Sequence, residues 1–485
     1  MGKSYKQWSP TESYLFPPAP QDWLPAGHLA YFVMEFVEEA DLSAIDEAFQ
    51  RKDPRGEQPF SPRLMVALLL YGYCTGVYSS RRIEKATHED VAFRLLCGGC
   101  HPHFTTLARF RREHLGALQD LFVQTVRMSR SAGLLRSERV ALDGTKVQAN
   151  ASKRKAMSYR RMKKKQTELE QEIEELLARA ESEDRDEDAR FGAGKRGDEA
   201  VIAEVRDRRT RREWIREQMA ALEKEARLGR AAELDRQASA NEQAAERATE
   251  GQERRRRETT ARKRKEQSLS LFGDDDPPPP EAIPRHVPPH TPDGLPKDRA
   301  QRNFTDPDSR IMRRDGAYLQ GYNCQAVVDE DSQVVVATGV GNLGNDQLYL
   351  APMLDRTIGS LGRTPRSFVA DAGYWSAANA ELLEDAGVEP YIATSRELHG
   401  LMAPATRSGP PPAELDTRAR MEWRLQTEEG RERRLKRRTS NEPVFGQIKE
   451  SRGFRRFHLR GLDKVRGEWA LIATAHNLLK LHKAV

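Results

Sequence analysis

The sequence predicts an α/β protein in three parts: a mixed sheet flanked by helices, an all-α domain ahead of it, and a long helical, coiled-coil-like insertion within it. Three observations predict this. Apolar positions recur at helical spacing before about residue 135, short apolar runs of strand character lie at 140–147 and within 321–393, and heptad spacing appears between these blocks. A chain of 485 residues exceeds the usual size of one domain. The expected boundaries are 1–135 for the helical domain, 136–150 for the first strand of the core, 151–300 for a helical hairpin with a flexible basic and proline-rich linker, and 301–485 for the rest of the core.

In the N-terminal part, Leu64, Leu68 and Tyr71 share one helical face behind a cap candidate, Ser61, and a first-turn proline, Pro62. A second helix is expected from Ser79 or Ser80. A third, from Thr105, carries Arg109, Arg111 and Arg112, which suit contact with a DNA backbone; a merely solvated face is the competing reading. In the insertion, Met162, Leu169 and Leu176 recur at sevens, with Ile173 and Ala180 completing the seam, and Ile215, Met219 and Leu222 repeat the spacing. The acidic, glycine-containing stretch 183–198 is expected to interrupt these helices. The basic run of Arg254 to Arg257 and Arg262 to Lys265, with the acidic and proline tract 274–280, is expected to be extended and mobile.

The second β block reads as a hairpin of 322–328 and 333–337 over a polar turn. A helix over 346–358, a strand over 367–370, a helix over 377–385 and a strand over 389–393 follow. Charged residues make up 32% of the chain against 38% hydrophobic, and the net charge of +6 hides strong local separation of sign. There is no signal-peptide pattern and no run of ~18 apolar residues, and four cysteines are too few for a disulfide framework. These features predict a soluble cytoplasmic protein with no membrane partner.

Two apolar runs end in aspartate: Val140-Ala141-Leu142 at Asp143, and Phe368-Val369-Ala370 at Asp371, with Gly373 behind it. Strand ends are where such sheets hold ligands, although a lone aspartate there also serves as a turn or helix cap. Glu442 supplies a third acid. On a helix advancing about 100° per residue, Glu442 and Lys449 fall on nearly one face, and Pro443 sets the expected helix start at Asn441 or Glu442, with Arg438 in the loop before it. Six cations, Arg431, Arg433, Arg434, Lys436, Arg437 and Arg438, precede Glu442, and Arg452, Arg455, Arg456, Arg460, Lys464 and Arg466 follow it. Such clustering suits a polyanion whose binding weakens steeply with salt.

The three acids, and the spacing of Arg438, Glu442 and Lys449, resemble the D-D-E transposases of bacterial insertion sequences, in the subgroup whose motif is Tyr, two residues, Arg, three, Glu, six, Lys. Leu435 stands at the tyrosine position. Asp143-Gly144-Thr145 and Asp371-Ala372-Gly373-Tyr374 also resemble that group's aspartate motifs, and Phe454 to Gly461 with Trp469 to Leu478 resembles its C-terminal helical region. The extra sequence follows the first aspartate here, whereas the best-known members carry it between the second aspartate and the glutamate.

The resemblance implies a ribonuclease-H-like core with Asp143 on the first strand, Asp371 at the end of the fourth and Glu442 on a late helix. It implies that these three residues are both catalytic and metal-binding, holding Mg2+ or Mn2+ as a pair of ions. Converging carboxylates repel, and hard cations relieve that repulsion; two ions about 3.5–4 Å apart serve an in-line phosphoryl displacement. The implied partners are double-stranded DNA, as terminal inverted repeats and as target, with Arg109, Arg111, Arg112, Arg438, Lys449, Arg452, Arg455, Arg456 and Arg460 as contacts. A homodimer on the nucleoid is also implied, for which the seam from Met162 to Ala180 offers a contact. Two alternatives share these observations, a nuclease that hydrolyses without joining and a non-catalytic DNA-binding protein.

The stretch from Cys97 to His103 holds two cysteines and two histidines, yet lacks the long ligand separation of ordinary zinc modules. Trp375 reads as a core or helix-start aromatic, His476 and His482 as packing or surface residues, and Asp306 and Asp308 as turn residues.

Overall fold

The computed structural model describes residues 19–51, 58–136, 138–191, 199–249, 251–272, 283, 285–314, 316–395 and 405–484. They form two compact units. One comprises the residues through Val147, Asn323–Val340 and those from Asn345 onward; the other comprises Gln148–Tyr322 with Gly341–Gly344.

The first unit opens with eight helices: α1 (Pro20–Trp23), α2 (Leu29–Glu39), α3 (Ser43–Gln50), α4 (Pro62–Thr75), α5 (Ser80–Glu89), α6 (Val91–Cys97), α7 (Phe104–Glu113) and α8 (Leu115–Ser131). Pro62 occupies the first turn of α4, where its missing N–H costs nothing. α4 is not amphipathic as its spacing suggested, since every residue from Met65 to Cys74 is buried. α7 starts one residue before Thr105, capped by the His103 side chain, which accepts from the Thr105 N–H.

The core strands of this unit are β1 (Arg139–Gln148), the later residues of β5 (Ala317–Asp329), β6 (Val335–Gly341), β7 (Ser367–Ala370) and β8 (Glu389–Ile392), lying side by side in the order β6-β5-β1-β7-β8. β1 with β7 and β7 with β8 are parallel. α12 (Leu350–Leu361) and α13 (Ala377–Asp385) provide the crossovers, and α14 (Thr417–Leu425), α15 (Glu428–Gly446) and α16 (Leu462–Ala484) complete the unit. The β5–β6 hairpin closes over Asp329, whose Oδ1 accepts from the Ser332 N–H and hydroxyl, both at 2.8 Å. α16 is buried along most of its length, because it packs between the N-terminal helices and the sheet. Its Asn477 acts as a surrogate strand for the outermost strand, β6: Oδ1 accepts from Val335 N at 2.9 Å and Nδ2 donates to Val335 O at 2.9 Å.

The second unit contains β2 (Ala156–Ser158) paired antiparallel with β3 (Gln301–Asn303), α9 (Tyr159–Phe191), α10 (Glu199–Glu246), α11 (Gly251–Phe272), and β4 (Arg310–Arg314) paired antiparallel with the start of β5. Its core of Tyr159, Met162, Leu169, Ile215, Leu222, Ala300 and Phe304 joins α9 to α10, so Met162 and Leu169 of the heptad seam pack within the chain. The Ala180 side chain lies outside the described residues.

Three further expectations change. The acidic stretch does not stop α9, which continues to Phe191, and 192–198 lie outside the described residues. The basic run expected to be mobile is the helix α11, anchored on α10 by buried Ala261 and by the Ser268 hydroxyl donating to Ala231 O at 3.2 Å; the tract 274–280 lies outside the described residues. The unit containing the insertion also runs on to Tyr322, beyond the expected boundary at 300.

Two outcomes follow for stability. Asn477→Leu strands a buried N–H and a buried C=O on β6, so chemical denaturation should show a loss of about 2–4 kcal/mol. His476 is buried and its Nε2 donates to Gln333 O at 2.9 Å; burial holds its pKa down at about 3, against the opposing pull of that hydrogen bond, so the ring is neutral at ordinary pH. The unfolded chain then takes up a proton that the folded one refuses. Stability is complete above the ordinary imidazole pKa and falls by about 1.4 kcal/mol per pH unit as the pH drops below it. Denaturation at neutral and at mildly acidic pH should therefore show a smaller acid loss in His476→Gln than in the unsubstituted protein.

Candidate active site

Val140, Ala141 and Leu142 are fully buried, as are all four residues of β7, so both strands sit in the middle of the sheet. Their parallel register pairs Val140 with Phe368 and Ala141 with Val369. Two residues further on, the same register sets Asp143 beside Asp371, on neighbouring strands about 4.8 Å apart. Asp371 then leaves the strand as the cap of a 3-10 turn, its Oδ1 accepting from Gly373 N at 2.8 Å.

Asp143 is only 17% exposed. Its Oδ1 accepts from Gly144 N at 2.7 Å and its Oδ2 from Arg437 at 2.9 Å. Burial pushes its carboxyl up to about 6, with Asp371 and Asp346 adding to the rise and Arg437 and the Gly144 N–H opposing it. Burial, more than the charges around it, sets this rise.

Asp346 is the residue that sequence reasoning missed. It was taken as the start of a helix, and it does precede a 3-10 turn leading into α12. Its carboxylate, however, accepts from Lys146 Nζ at 2.9 and 3.1 Å, from Asn323 Nδ2 at 2.6 Å and from Gln325 Nε2 at 3.2 Å. Gln325 in turn accepts from the buried Tyr374 hydroxyl. Two glycines permit this density. A Cβ on Gly144 would stand 2.7 Å from Gln325 Nε2 and 3.2 Å from Asp346 Oδ1, and one on Gly373 would meet Asp371 Oδ1 at 3.0 Å and Asp346 Oδ2 at 3.4 Å. No spacing in the sequence ties Asp346 to Asp143; the signal exists only once the strands are aligned.

α15 lies against β1 through side chains four residues apart. Arg437 reaches Asp143, Asn441 Nδ2 donates to Ala141 O at 3.0 Å, and Lys449 beyond the helix end donates to the Thr145 hydroxyl. The helix runs from Glu428 straight through Pro443 instead of starting at Asn441 or Glu442, so Arg438 is helical. A proline at 443 leaves the carbonyl of Thr439 without its helical donor. Gln333 Nε2, from the turn between β5 and β6, donates to that carbonyl at 3.0 Å. The same Gln333 accepts from Lys480 Nζ at 2.7 Å through Oε1 and from His476 through its own carbonyl. A π turn, Gln447–Ser451, then shifts the register beyond Gly446, a distortion common near functional sites.

The structure thus brings together Asp143 and Asp371, with Asp346 beside them. Glu442 is exposed on the flank of α15, its carboxylate meeting no ion-pair or hydrogen-bond partner among the described residues, and no three acidic, histidine or cysteine side chains among them converge as a metal cage.

Two of the expected DNA contacts are corrected. Arg111 is buried, its guanidinium donating to the Tyr73 hydroxyl at 3.0 Å and Tyr78 O at 2.9 Å, and Tyr73 in turn donates to the buried Glu468 at 3.3 Å. Arg452 is also buried, donating to backbone carbonyls of Gln447 and Ile472. Arg109, Arg112, Arg455, Arg456 and Arg460 are exposed, with Arg455 paired to Glu450, and Arg438 and Lys449 are half-buried. Cys97 is buried, His101 stacks on His88 at 4.0 Å, and His103 is spent on capping α7, so this cluster is structural. Trp375 packs against the cluster of Ala141, Val369 and Tyr391. Asp306, in the other unit, is fully buried and accepts from the Tyr322 hydroxyl at 2.7 Å.

A family described as Transposase domain (DUF772) matches residues 19–113, and one described as Transposase DDE domain matches residues 412–482. Both matches support a DDE transposase. The first spans α1 to α7 and the second holds Glu442, Lys449 and most of α16. The DDE domain implies a ribonuclease-H-like fold and an enzyme of the nuclease and transposase class, and such enzymes typically use divalent metal ions; the transposase domains imply DNA substrates. No curated protein and no solved structure matches the chain. No helix among the described residues is long and apolar enough to cross a membrane.

Asn441 gives this site its structural test. Asn441→Leu removes the only side-chain donor that α15 gives to the buried Ala141 carbonyl among the described contacts, and should cost about 1–3 kcal/mol in chemical denaturation.

Proposed function

We propose that this chain cuts the terminal inverted repeats of its own element and joins the freed 3′-hydroxyl ends to target DNA, as a Tyr-Arg-Glu-Lys-type DDE transposase with Leu435 in place of the tyrosine. The supporting observation is the pair of carboxylates set side by side by two adjacent parallel strands, Asp143 within β1 and Asp371 directly after β7, with Asp143 largely buried. Both family matches favour the same reading.

An all-oxygen donor set of carboxylates fits Mg2+ or Mn2+. Asp143, Asp371 and Glu442 would hold two such ions, which activate an attacking oxygen and stabilise a leaving one in phosphoryl transfer. The chain's own residues do the rest. Arg437 orients Asp143, Lys146 and Asn323 hold Asp346 in the floor of the site, and Asn441 fixes α15, and with it Glu442, against β1. Arg438, Lys449, Arg455, Arg456, Arg460, Arg109 and Arg112 contact DNA phosphates. The working form is a homodimer on paired ends, acting in the cytoplasm at the nucleoid.

The test is end cleavage and strand transfer by the purified full chain on duplexes carrying the repeats that flank its gene. Asp143→Asn, Asp371→Asn and Glu442→Gln should each lower cleavage by about 10³-fold or more while leaving DNA binding in a chelator intact. Undiminished cutting by any of the three variants overturns that residue's assignment. Cutting without joining means a hydrolytic nuclease, and salt-sensitive binding without metal-dependent cutting means a binding protein.

A further inference from the structure

α11 is a helix of unusual charge. Its eight Lys and Arg residues face three glutamates, and each of those glutamates is already engaged: Glu253 with Arg257 at 2.6 Å, Glu258 with Arg254 at 3.0 Å and Glu266 with Arg262 at 3.7 Å. Two more cations are spent on α10, Lys265 on Glu242 at 2.7 Å and Arg264 on Gln237 O at 3.3 Å. Arg255, Arg256 and Lys263 remain. All three are exposed, and none has an ion-pair or hydrogen-bond partner among the described residues.

Their positions are not scattered. At about 100° per residue, Arg256 and Lys263 lie within roughly 20° of each other, and Arg255 lies on their outward side. Exposed Gln252 and Thr259 fall on the same face; Gln252 is a side-chain type that donates to phosphate oxygens, while the Thr259 hydroxyl donates to Arg255 O at 2.8 Å. The opposite face is fixed, since Ala261 and Ser268 are buried against α10. A helix docked on α10 therefore holds three exposed cations without ion-pair partners among the described residues in one solvent-facing stripe, Lys263 two turns beyond Arg256.

We propose that this stripe, Gln252, Arg255, Arg256, Thr259 and Lys263 on α11, is a second contact surface for the phosphate backbone of duplex DNA, carried by the insertion and separate from the residues around Glu442. It rests on the reading of the chain as a DNA-transacting protein. The contact is to backbone and reads no sequence, so it supplies affinity and salt dependence rather than choice of site.

The experiment measures binding of the full chain to a labelled duplex by fluorescence anisotropy across a salt series, in a chelator so that cleavage plays no part. In Arg255→Gln/Arg256→Gln/Lys263→Gln, the slope of log affinity against log salt should become shallower by about 3, near one unit per lost phosphate contact. A control, Arg254→Gln/Arg257→Gln, removes cations already paired with glutamates and should change the slope by less than about 1. Thermal unfolding of the triple variant should match the unsubstituted protein, because its replaced side chains are exposed and lie away from Ala261 and Ser268. An unchanged slope in the triple variant, or an equal fall in the control, overturns the stripe. Failure of the unsubstituted chain to bind duplex DNA at all overturns the functional reading beneath it.

Discussion

The parallel pairing of β1 with β7 is the constraint from which the site follows. Two central strands in one register must bring together the residues two places beyond Ala141 and Val369, Asp143 within β1 and Asp371 directly after β7, and both are aspartates. Placing like charges side by side in a low-dielectric setting is unfavourable unless cations are built around them. The chain supplies some: Arg437 reaches in from α15, and Lys146, three residues after the β1 carboxylate, pairs with Asp346. Burial outweighs them at Asp143, whose carboxyl is pushed up to about 6.

Much of this was legible in the sequence because it is local. The strand at 367–370 and the helix at 377–385 are found where periodicity set them, and the aspartates after them were read from the apolar runs that bury their strands. What escaped depends on contacts between distant segments. Asp346 looks like an ordinary helix start, and only the alignment of β1 with β5 reveals its partners Lys146, Asn323 and Gln325. Arg111 looks like a surface cation on an amphipathic helix, yet Tyr73 and Tyr78 from neighbouring elements draw it inward. The basic run 254–265 was read as mobile from composition alone, although Ala261 and Ser268 carry the helical spacing that docks it on α10.

Glu442 illustrates a different limit. Its identity was legible from the spacing of Arg438 and Lys449, but its setting was not. The residue before a proline ordinarily avoids the helical region, and the sequence gives no sign that the helix will continue. It continues because α15 is held from outside, by Asn441 on β1 and by Gln333 on the Thr439 carbonyl. The π turn that follows then separates the face of Glu442 from that of Lys449. Tertiary contacts here override what local preference dictates.

Gln333 has left-handed backbone geometry, at φ 60°, in a short surface turn of the kind that normally accepts insertions freely. In this protein it ties α15 and α16 to the end of one hairpin. Lengthening that turn by a residue or two would leave the hairpin paired yet free both C-terminal helices from their shared tether, so a graft or tag inserted there would disturb the setting of α15 from a position that looks dispensable.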